Sequence, residues 1–266
     1  MKKLAFAAAV MALAGPACAA DYPVKGPGPT PPPAPPVPAW NWSGIYVGAN
    51  GGAAWGDTSW NFPVAQFFAS PGGNTFSTHP NGGLAGGQIG INRQIAPWLF
   101  GVPWVFGVEF TGDWANLKET LIGPVTPIFP DAWTTKLTDL ETLTFRFGVP
   151  VTNWLFYGKA GGASGTVNLH AESTPISFNA IFDRTERAWG TTLGAGIEYA
   201  LTQNLILGVE YDFVRLFPGS FNGVAVFSSG PAAGLSAGPV TVGANSSFDV
   251  QSVVGRLSYR FFAPAF

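Results

Sequence analysis

The sequence is poor in the residues that most enzyme sites use. Its 266 residues include one cysteine, Cys18, and two histidines, His79 and His170. Near His170 lie Glu172 and Ser173, which are residue types that a hydrolase needs, but neighbours on a predicted loop need not converge. The sequence contains no metal-ligand spacing, phosphate-binding Gly motif or nucleotide fingerprint. We therefore expect no catalytic residue, no cofactor and no metal.

Charge and long apolar runs are also scarce. Charged residues make up 11% of the chain, whereas a soluble domain carries about 25%. Mean hydropathy is nevertheless positive, at +0.22, so a soluble protein of this size would have difficulty covering its surface. The best apolar candidate after the N-terminal region, residues 98–108, contains Pro103 and stops at Glu109, which is too short for a spanning helix. The mildly acidic formal net charge of −2 gives no reason to expect nucleic acid as a partner.

The N-terminal region has the pattern of an export signal. Lys2 and Lys3 precede the apolar residues 4–15, and Ala17-Cys18-Ala19 forms an A-x-A cleavage site. This pattern predicts a secretory signal peptide at residues 1–19, which would remove the single cysteine. A lipoprotein acylated at Cys18 is the rival interpretation, although Pro16 fits poorly before such a cysteine.

A proline-rich segment follows, and it separates the signal from the rest of the chain. Residues 20–39 contain YPVKGPGPTPPPAPPVPA. Proline at this density favours an extended polyproline II spacer without a core of its own. We therefore expect a periplasmic leader at residues 20–39 and one folded domain at residues 40–266.

Residues 190–216 carry the clearest structural signal. Apolar residues alternate with small or charged ones on both sides of a short polar turn, which is the pattern of a β-hairpin. Folding the strands about the middle of the turn places each glutamate opposite a bare backbone, with Glu198 facing Gly208 and Glu210 facing Gly196. Such an arrangement suits a crowded, narrow interior.

The same alternation recurs along the chain. Eight strands are expected, at residues 43–56, 83–95, 105–114, 137–149, 154–168, 190–200, 205–216 and 248–261. Each is long enough to cross a bilayer at a tilt. Residues 169–189 and the uncharged residues 217–247 are expected as loops, and a loop on a rigid scaffold is a natural site for surface ligands. An exported, charge-poor chain with this pattern predicts an eight-stranded antiparallel up-and-down transmembrane β-barrel.

The few charges of the strands fall on the face opposite the apolar one. We expect the lumen to hold a charge network made of Glu109, Asp113, Arg146, Lys159, Glu198, Glu210, Asp212, Arg256 and Arg260. Arg146 is expected to serve Glu109 and Asp113 from the neighbouring strand. Lys159 is placed inward because a lysine facing lipid near the bilayer midplane costs about 2–4 kcal/mol. An eight-stranded barrel is just wide enough for side chains to fill. A narrow cation-selective pore lined by Glu109, Glu198 and Glu210 is the functional alternative.

Tryptophans fall near the predicted strand ends. Aromatic girdles belong at the two bilayer interfaces, although each residue alone would fit ordinary core packing equally well. The predicted interface aromatics, which would contact outer-membrane lipid, are Trp55, Trp98, Trp114, Trp154 and Trp189.

Several short segments carry a family resemblance. They are Trp42-Ser43-Gly44-Ile45-Tyr46-Val47-Gly48, Gly86-Gly87-Gln88-Ile89-Gly90, Val105-Phe106-Gly107-Val108-Glu109, Trp154-Leu155-Phe156-Tyr157-Gly158 and Tyr259-Arg260-Phe261. In this order they resemble the small porin-family outer-membrane β-barrel proteins of alphaproteobacteria. The resemblance implies an eight-stranded barrel in the cell outer membrane, with long extracellular loops, short periplasmic turns and both termini in the periplasm. In that family a mature chain that starts Ala-Asp can be linked to peptidoglycan through the alanine, so the resemblance makes Ala20 a candidate for cell-wall attachment; a solvated periplasmic leader without attachment is the alternative. Two features depart from the family pattern: the five residues after Phe261, and Arg93 at an apolar-face position.

These observations predict a non-enzymatic integral outer-membrane protein with a role in envelope integrity and surface interaction. A narrow porin for passive diffusion of small solutes is the alternative, and a lipid-modifying barrel enzyme is a remote one. The expected partners are outer-membrane lipid, peptidoglycan through the leader, and surface ligands at the loops.

Overall fold

A computed structural model describes residues 40–61, 75–97, 100–122, 131–173, 179–244 and 247–261. The predicted signal peptide and leader, Ala20, Trp98 and the last five residues lie outside this part of the chain. Within it, no helix has the length and apolarity needed to cross a membrane.

The described chain is built from strands. Their bounds are β1 Gly44–Asn61, β2 Thr75–Thr78, β3 Asn81–Ile95, β4 Trp104–Ile122, β5 Asp131–Val151, β6 Trp154–Ser173, β7 Ala180–Ala200, β8 Leu205–Phe217, β9 Ser220–Phe227, β10 Ser236–Ala244 and β11 Phe248–Arg260. All of the pairings are antiparallel.

Eight of these strands close into a ring. In order they are β1, β3, β4, β5, β6, β7, β8 and β11, and each pairs with the next. The ring closes because β1 pairs with β11 on its other edge, for example through Ala53 and Val253. The predicted eight-stranded antiparallel barrel is therefore confirmed. Short turns join the strands at one end, which we call the periplasmic end.

The register of the β7–β8 hairpin matches the prediction. Glu198 pairs with Gly208, and Gly196 pairs with Glu210. The two glutamates are buried inside the barrel, whereas Val209, between Gly208 and Glu210, is 58% exposed on the outer wall. The same arrangement, with charged side chains inside and large apolar side chains outside, holds around the ring. Lipid must therefore cover this surface, as in outer-membrane barrels.

The prediction of loops at residues 169–189 and 217–247 was wrong. Within the first range, residues 169–173 extend β6 and residues 180–189 belong to β7. Within the second, β9 and β10 form a hairpin. Its inward residues are apolar and fully buried, among them Phe221, Val240 and Val242. Gly- and Ser-rich composition concealed this alternation in the sequence.

The β9–β10 hairpin continues the barrel wall above the ring. At one edge Trp60 of β1 pairs with Ala244 of β10, and at the other Ala180 of β7 pairs with Phe227 of β9. We call this part, beyond the ends of β8 and β11, the outer barrel. Buried apolar residues fill it, including Trp133. The outer barrel is therefore a folded, cored extension of the transmembrane ring.

Candidate functional site: the sealed interior of the barrel

The interior is divided into three layers. At the periplasmic end an apolar layer contains Trp42, Val105, Leu155 and Ile206. A second apolar layer fills the outer part of the lumen and the outer barrel. Between them lies the ion cluster, which consists of Glu109, Arg146, Lys159, Glu198, Glu210, Asp212 and Arg256.

Glu109 lies at the centre of the ion cluster, and its side chain is fully buried. Arg256 contacts both of its carboxylate oxygens, and Nη1 of Arg146 lies 3.2 Å from Oε2. Nζ of Lys159 lies 3.9 Å from Oε1. The hydroxyl of Tyr46 donates to Oε2 at 2.7 Å. Three hydrogen-bond donors from three strands, together with the nearby ammonium of Lys159, therefore compensate one buried charge, as burial requires.

A second group of contacts surrounds Glu210. Nζ of Lys159 lies 2.7 Å from its Oε1 and 3.0 Å from Oδ1 of Asp212. The hydroxyl of Tyr157 donates to Oε2 of Glu210 at 2.5 Å, and Arg256 contacts the same oxygen. Arg256 therefore joins Glu210 on β8 to Glu109 on β4 across the lumen.

Arg146 makes the third set of contacts. Its Nη2 donates to Oε1 of Glu198 at 2.7 Å, and its guanidinium carbon lies 3.9 Å from the ring centroid of Tyr157, a cation–π geometry. The prediction that Arg146 serves Glu109 is matched by the contact described above, whereas the prediction that it serves Asp113 was wrong. Asp113 of β4 pairs with Leu140 of β5, which lies well beyond Arg146 toward the outer end of β5.

The two remaining predicted network members lie apart from the cluster. Asp113 lines a cavity of about 10 Å³ between the ion cluster and the outer apolar layer. Arg260 lies at the periplasmic end, where its Nη2 donates to the backbone oxygen of Gln203 at 2.7 Å. Its guanidinium carbon lies 4.1 Å from the ring centroid of Trp40. Arg260 therefore lies at the periplasmic mouth, outside the ion cluster.

Sequence reasoning missed Tyr46 and Tyr157 as members of the network. A signal was present, because each tyrosine occupies an inward position of its strand and faces a glycine. A Cβ atom added at Gly90 would strike the hydroxyl of Tyr46, and one added at Gly196 would strike that of Tyr157. These glycines leave room for the two rings inside the lumen.

The predicted interface tryptophans point outward where the structure describes them. Trp114 and Trp189 are 79% and 70% exposed, and Trp55 and Trp154 are also exposed. Trp154 lies at the periplasmic end, and the other three lie toward the outer end. Trp98 is outside the described residues. Outward tryptophans toward both ends of the wall are what aromatic girdles would require, and their contact with the bilayer interfaces stays a prediction.

The two histidines lie on the outer surface, above this aromatic level. Nδ1 of His79 lies 2.5 Å from Oδ1 of Asp57, and Nδ1 of His170 lies 3.3 Å from Oδ2 of Asp183. Ser173 is buried on the inner face of β6, whereas His170 faces outward. His170 and Ser173 therefore do not converge. Among the described residues, no group of three or more His, Cys, Asp or Glu side chains could hold a metal ion.

Comparison with known proteins gives both relatives and fold neighbours. The chain is 29% identical over 256 residues to the 31 kDa outer-membrane immunogenic proteins of Brucella melitensis biotype 1 and Brucella suis biovar 1, covering 93% of this chain and 100% of each relative. The crystal structure of OprG from Pseudomonas aeruginosa covers 85% of this chain and 99% of its own, at 13% identity and a TM-score of 0.41. The structure of Ail from Yersinia pestis in complex with the heparin analogue sucrose octasulfate covers 82% and 99%, at 12% identity and a TM-score of 0.36.

A family model agrees with the relatives. The model of the outer membrane protein beta-barrel domain matches residues 5–261, almost the whole chain. Together with the closed ring of strands and its apolar outer wall, this match accounts for the low charge of the sequence. The chain therefore belongs to the outer membrane protein beta-barrel domain family and is a protein of the cell outer membrane.

Proposed function

We propose that the protein is a non-enzymatic structural barrel, which supports the integrity of the envelope and holds a rigid platform at the cell surface. The observation that carries the proposal is the three-layered interior, in which the ion cluster lies between two apolar layers. Glu109, Glu198 and Glu210, the lining of the alternative pore, each contact Arg146, Arg256 or Lys159. The cavity beside the cluster, about 10 Å³, has room for at most about one water molecule.

Conductance in planar lipid bilayers tests this proposal against the narrow porin. Refolded wild-type protein is expected to give no steady channels at neutral pH, because each layer would have to open to pass a hydrated ion. Trp42→Ala, which thins the periplasmic layer, is the control for leakage. This variant should also give no steady channels, because the ion cluster and the outer layer remain. Stable ohmic channels in the wild type would overturn the structural role in favour of the porin.

The surface role rests on the outer barrel. Its outward residues include exposed apolar side chains at Val224, Val226 and Leu235, and such side chains favour contact with other molecules. The name of the Brucella relatives, outer-membrane immunogenic protein, fits a chain exposed at the cell surface. Antibodies raised against residues 217–247 are expected to label intact cells. Labelling that requires permeabilised cells would contradict the proposed platform.

The peptidoglycan link is a separate proposal, because it concerns Ala20 and the proline-rich leader. Once the signal peptide is removed, Ala20 would be the free N-terminal residue of a spacer long enough to reach away from the barrel. Muramidase digestion of purified sacculi, followed by mass spectrometry, should recover a peptide that begins at Ala20 and carries a muropeptide. Recovery of this peptide in the unlinked form alone would rule the link out.

A further inference from the structure

Two lysines lie opposite each other on the outer wall of the barrel. Lys118 of β4 pairs with Lys136 of β5, and the adjacent pair, Leu117 with Leu137, is fully buried inside. Because neighbouring residues of a strand point to opposite faces, both lysines point outward. Like charges directly opposite each other destabilise a sheet, so the pair favours an anion that contacts both ammonium groups.

Neither lysine has a charged partner among the residues that the structure describes, and neither forms a hydrogen bond there. The segments between the described strands, residues 62–74, 123–130 and 174–178, contain no aspartate or glutamate. Glu172 is paired with Ala132, four residues from Lys136 along β5. An anion that contacts both lysines must therefore come from outside the chain.

The other charges nearby leave this region positive. Asp139 and Glu141 are the next charged residues along β5. Arg187 of β7 contacts Glu141, and its Nη1 lies 3.8 Å from Oδ2 of Asp139. Arg187, Lys118 and Lys136 thus stand as three cations against two acids, and both acids already have a cation beside them.

The lysine pair lies where a tall lipid headgroup would reach it. Trp114, which is 79% exposed on the same face of β4, is predicted to mark the outer interface of the bilayer. Lys118 lies four residues beyond it, about 13 Å along a tilted strand. A phospholipid headgroup layer is only about 5–8 Å thick, so a larger sugar headgroup fits this distance better.

Hydroxyl groups extend the site outward. Thr120 of β4 and Thr134 of β5 form a directly opposite pair two residues beyond the lysines, and their Oγ1 atoms lie 2.9 Å apart. We call Lys118, Thr120, Thr134 and Lys136 the lysine patch. Ammonium and hydroxyl donors together suit the acidic groups of a headgroup, and lysine binds phosphate as a point charge.

An apolar groove lies in the outer wall on the membrane side of the lysine patch. It has a volume of about 480 Å³, and its lining includes Phe110 of β4, Phe145 of β5 and Trp189 of β7. Ser164 lies at its outer end, and a Cβ atom added at Gly162, also in the lining, would meet nothing within 4 Å. The groove fits an acyl chain, since close packing of apolar atoms gains dispersion energy.

We propose that the lysine patch and the groove together bind one acidic glycolipid of the outer leaflet. Acidic groups of its sugar headgroup contact Lys118 and Lys136, and one acyl chain lies in the groove beside Trp189. A lipid fits better than a protein, because the charged and the apolar parts of the site follow each other from the predicted interface into the apolar wall. The site lies outside the lumen, so it goes beyond the structural role proposed above and does not depend on it.

Native mass spectrometry of the delipidated protein tests the proposal. The mature chain is refolded from urea into detergent with EDTA, which removes the divalent ions that bridge lipid phosphates. Diphosphoryl lipid A is then titrated as the probe. We expect one lipid A to remain bound per chain, and phosphatidylcholine, which has no net charge, to bind at least roughly tenfold more weakly.

Four variants separate this site from general contact with lipid. Lys118→Gln with Lys136→Gln should weaken lipid A binding roughly thirtyfold, whereas Lys118→Arg with Lys136→Arg keeps both charges and should bind like the wild type. Gly162→Leu places a side chain in the groove and should also weaken binding. Arg215→Gln is the matched control, since Arg215 pairs with Asp249 on the outer face, and it should bind like the wild type. Gel mobility without heating confirms that each variant is folded.

Three results would overturn the proposal. Unchanged lipid A binding by the double glutamine variant would show that the lysines do not form the site. Equal binding of phosphatidylcholine by the wild type would mean that the groove makes only the contact that any lipid makes. Displacement of lipid A by inorganic phosphate, with Gly162→Leu binding like the wild type, would indicate a site for a free anion instead of a lipid.

Discussion

Removal of the Arg146 guanidinium should test how the ion cluster stabilises the barrel. Arg146 is the cation nearest to Glu198, with 2.7 Å between Nη2 and Oε1, whereas Nη2 of Arg256 lies 3.9 Å from the same oxygen. In Arg146→Met, Glu109 keeps Arg256, but Glu198 loses its hydrogen-bonded partner. The variant should therefore leave one buried carboxylate without adequate compensation.

The expected magnitude follows from burial. Both side chains of the Arg146–Glu198 pair are almost fully buried, and removing one partner of a buried pair costs about 3–5 kcal/mol. In contrast, the double variant Arg146→Met with Glu198→Gln removes both charges at once. It should recover most of that loss, because apolar or neutral replacements of a buried pair are often tolerated.

Equilibrium urea unfolding of the barrel in lipid vesicles measures these differences. The folded fraction is read from gel mobility without heating and, independently, from tryptophan fluorescence. Arg215→Met is the matched control, since Arg215 pairs with Asp249 on the exposed outer face, and surface pairs contribute little.

Two outcomes would refute the reasoning. A free energy of unfolding for Arg146→Met equal to that of the wild type would mean that the cluster is not a structural network. A large change in bilayer conductance with unaltered unfolding would instead support the pore alternative. The double variant excludes a simple packing defect, since it has the same methionine.

The remaining predictions concern packing and one hydroxyl. Gly190→Ala should lower the free energy of unfolding in urea by about 1–3 kcal/mol, because the new Cβ would strike a carbonyl oxygen of the neighbouring strand. Gly162→Ala is the control: its Cβ would meet nothing within 4 Å, so this variant should unfold in urea like the wild type. Phe221→Ala should loosen the outer barrel by about 3–5 kcal/mol, seen as protease cleavage within residues 217–247 on intact cells; uncleaved protein would contradict the described core. Tyr157→Phe should cost about 1.5–3 kcal/mol in the same urea assay, because Glu210 loses a buried donor, and an unchanged midpoint would show that this hydrogen bond does not contribute.

The transmembrane ring was predictable because alternation along a strand is a local property. A residue's neighbours at period two report which face it occupies, so Glu109 and Val209 could be assigned to opposite sides of the wall. A turn of fixed length also sets the pairing of two consecutive strands. For this reason folding the hairpin about its turn predicted that Glu198 faces Gly208, and the folded structure confirms this pairing.

The outer barrel escaped prediction for a compositional reason. Between Phe217 and Phe248 the chain is rich in Gly, Ser and Ala, which weaken the apolar alternation that marks a strand. Val240 and Val242 are buried only because the hairpin meets β1 at one edge and β7 at the other. Pairing between strands so distant in sequence cannot be derived from either strand alone.

The period-two pattern, the scarcity of charge and the inward placement of that charge follow from local chemistry, since lipid accepts apolar side chains and excludes ions. Which charges meet depends on the closure of the ring. Closure and strand shear set each residue's height, so that Arg146 reaches Glu198 across the lumen while Asp113 and Asp212 line a common cavity. Contacts across a barrel depend on the positions of all its strands together, and therefore only the folded ring defines them.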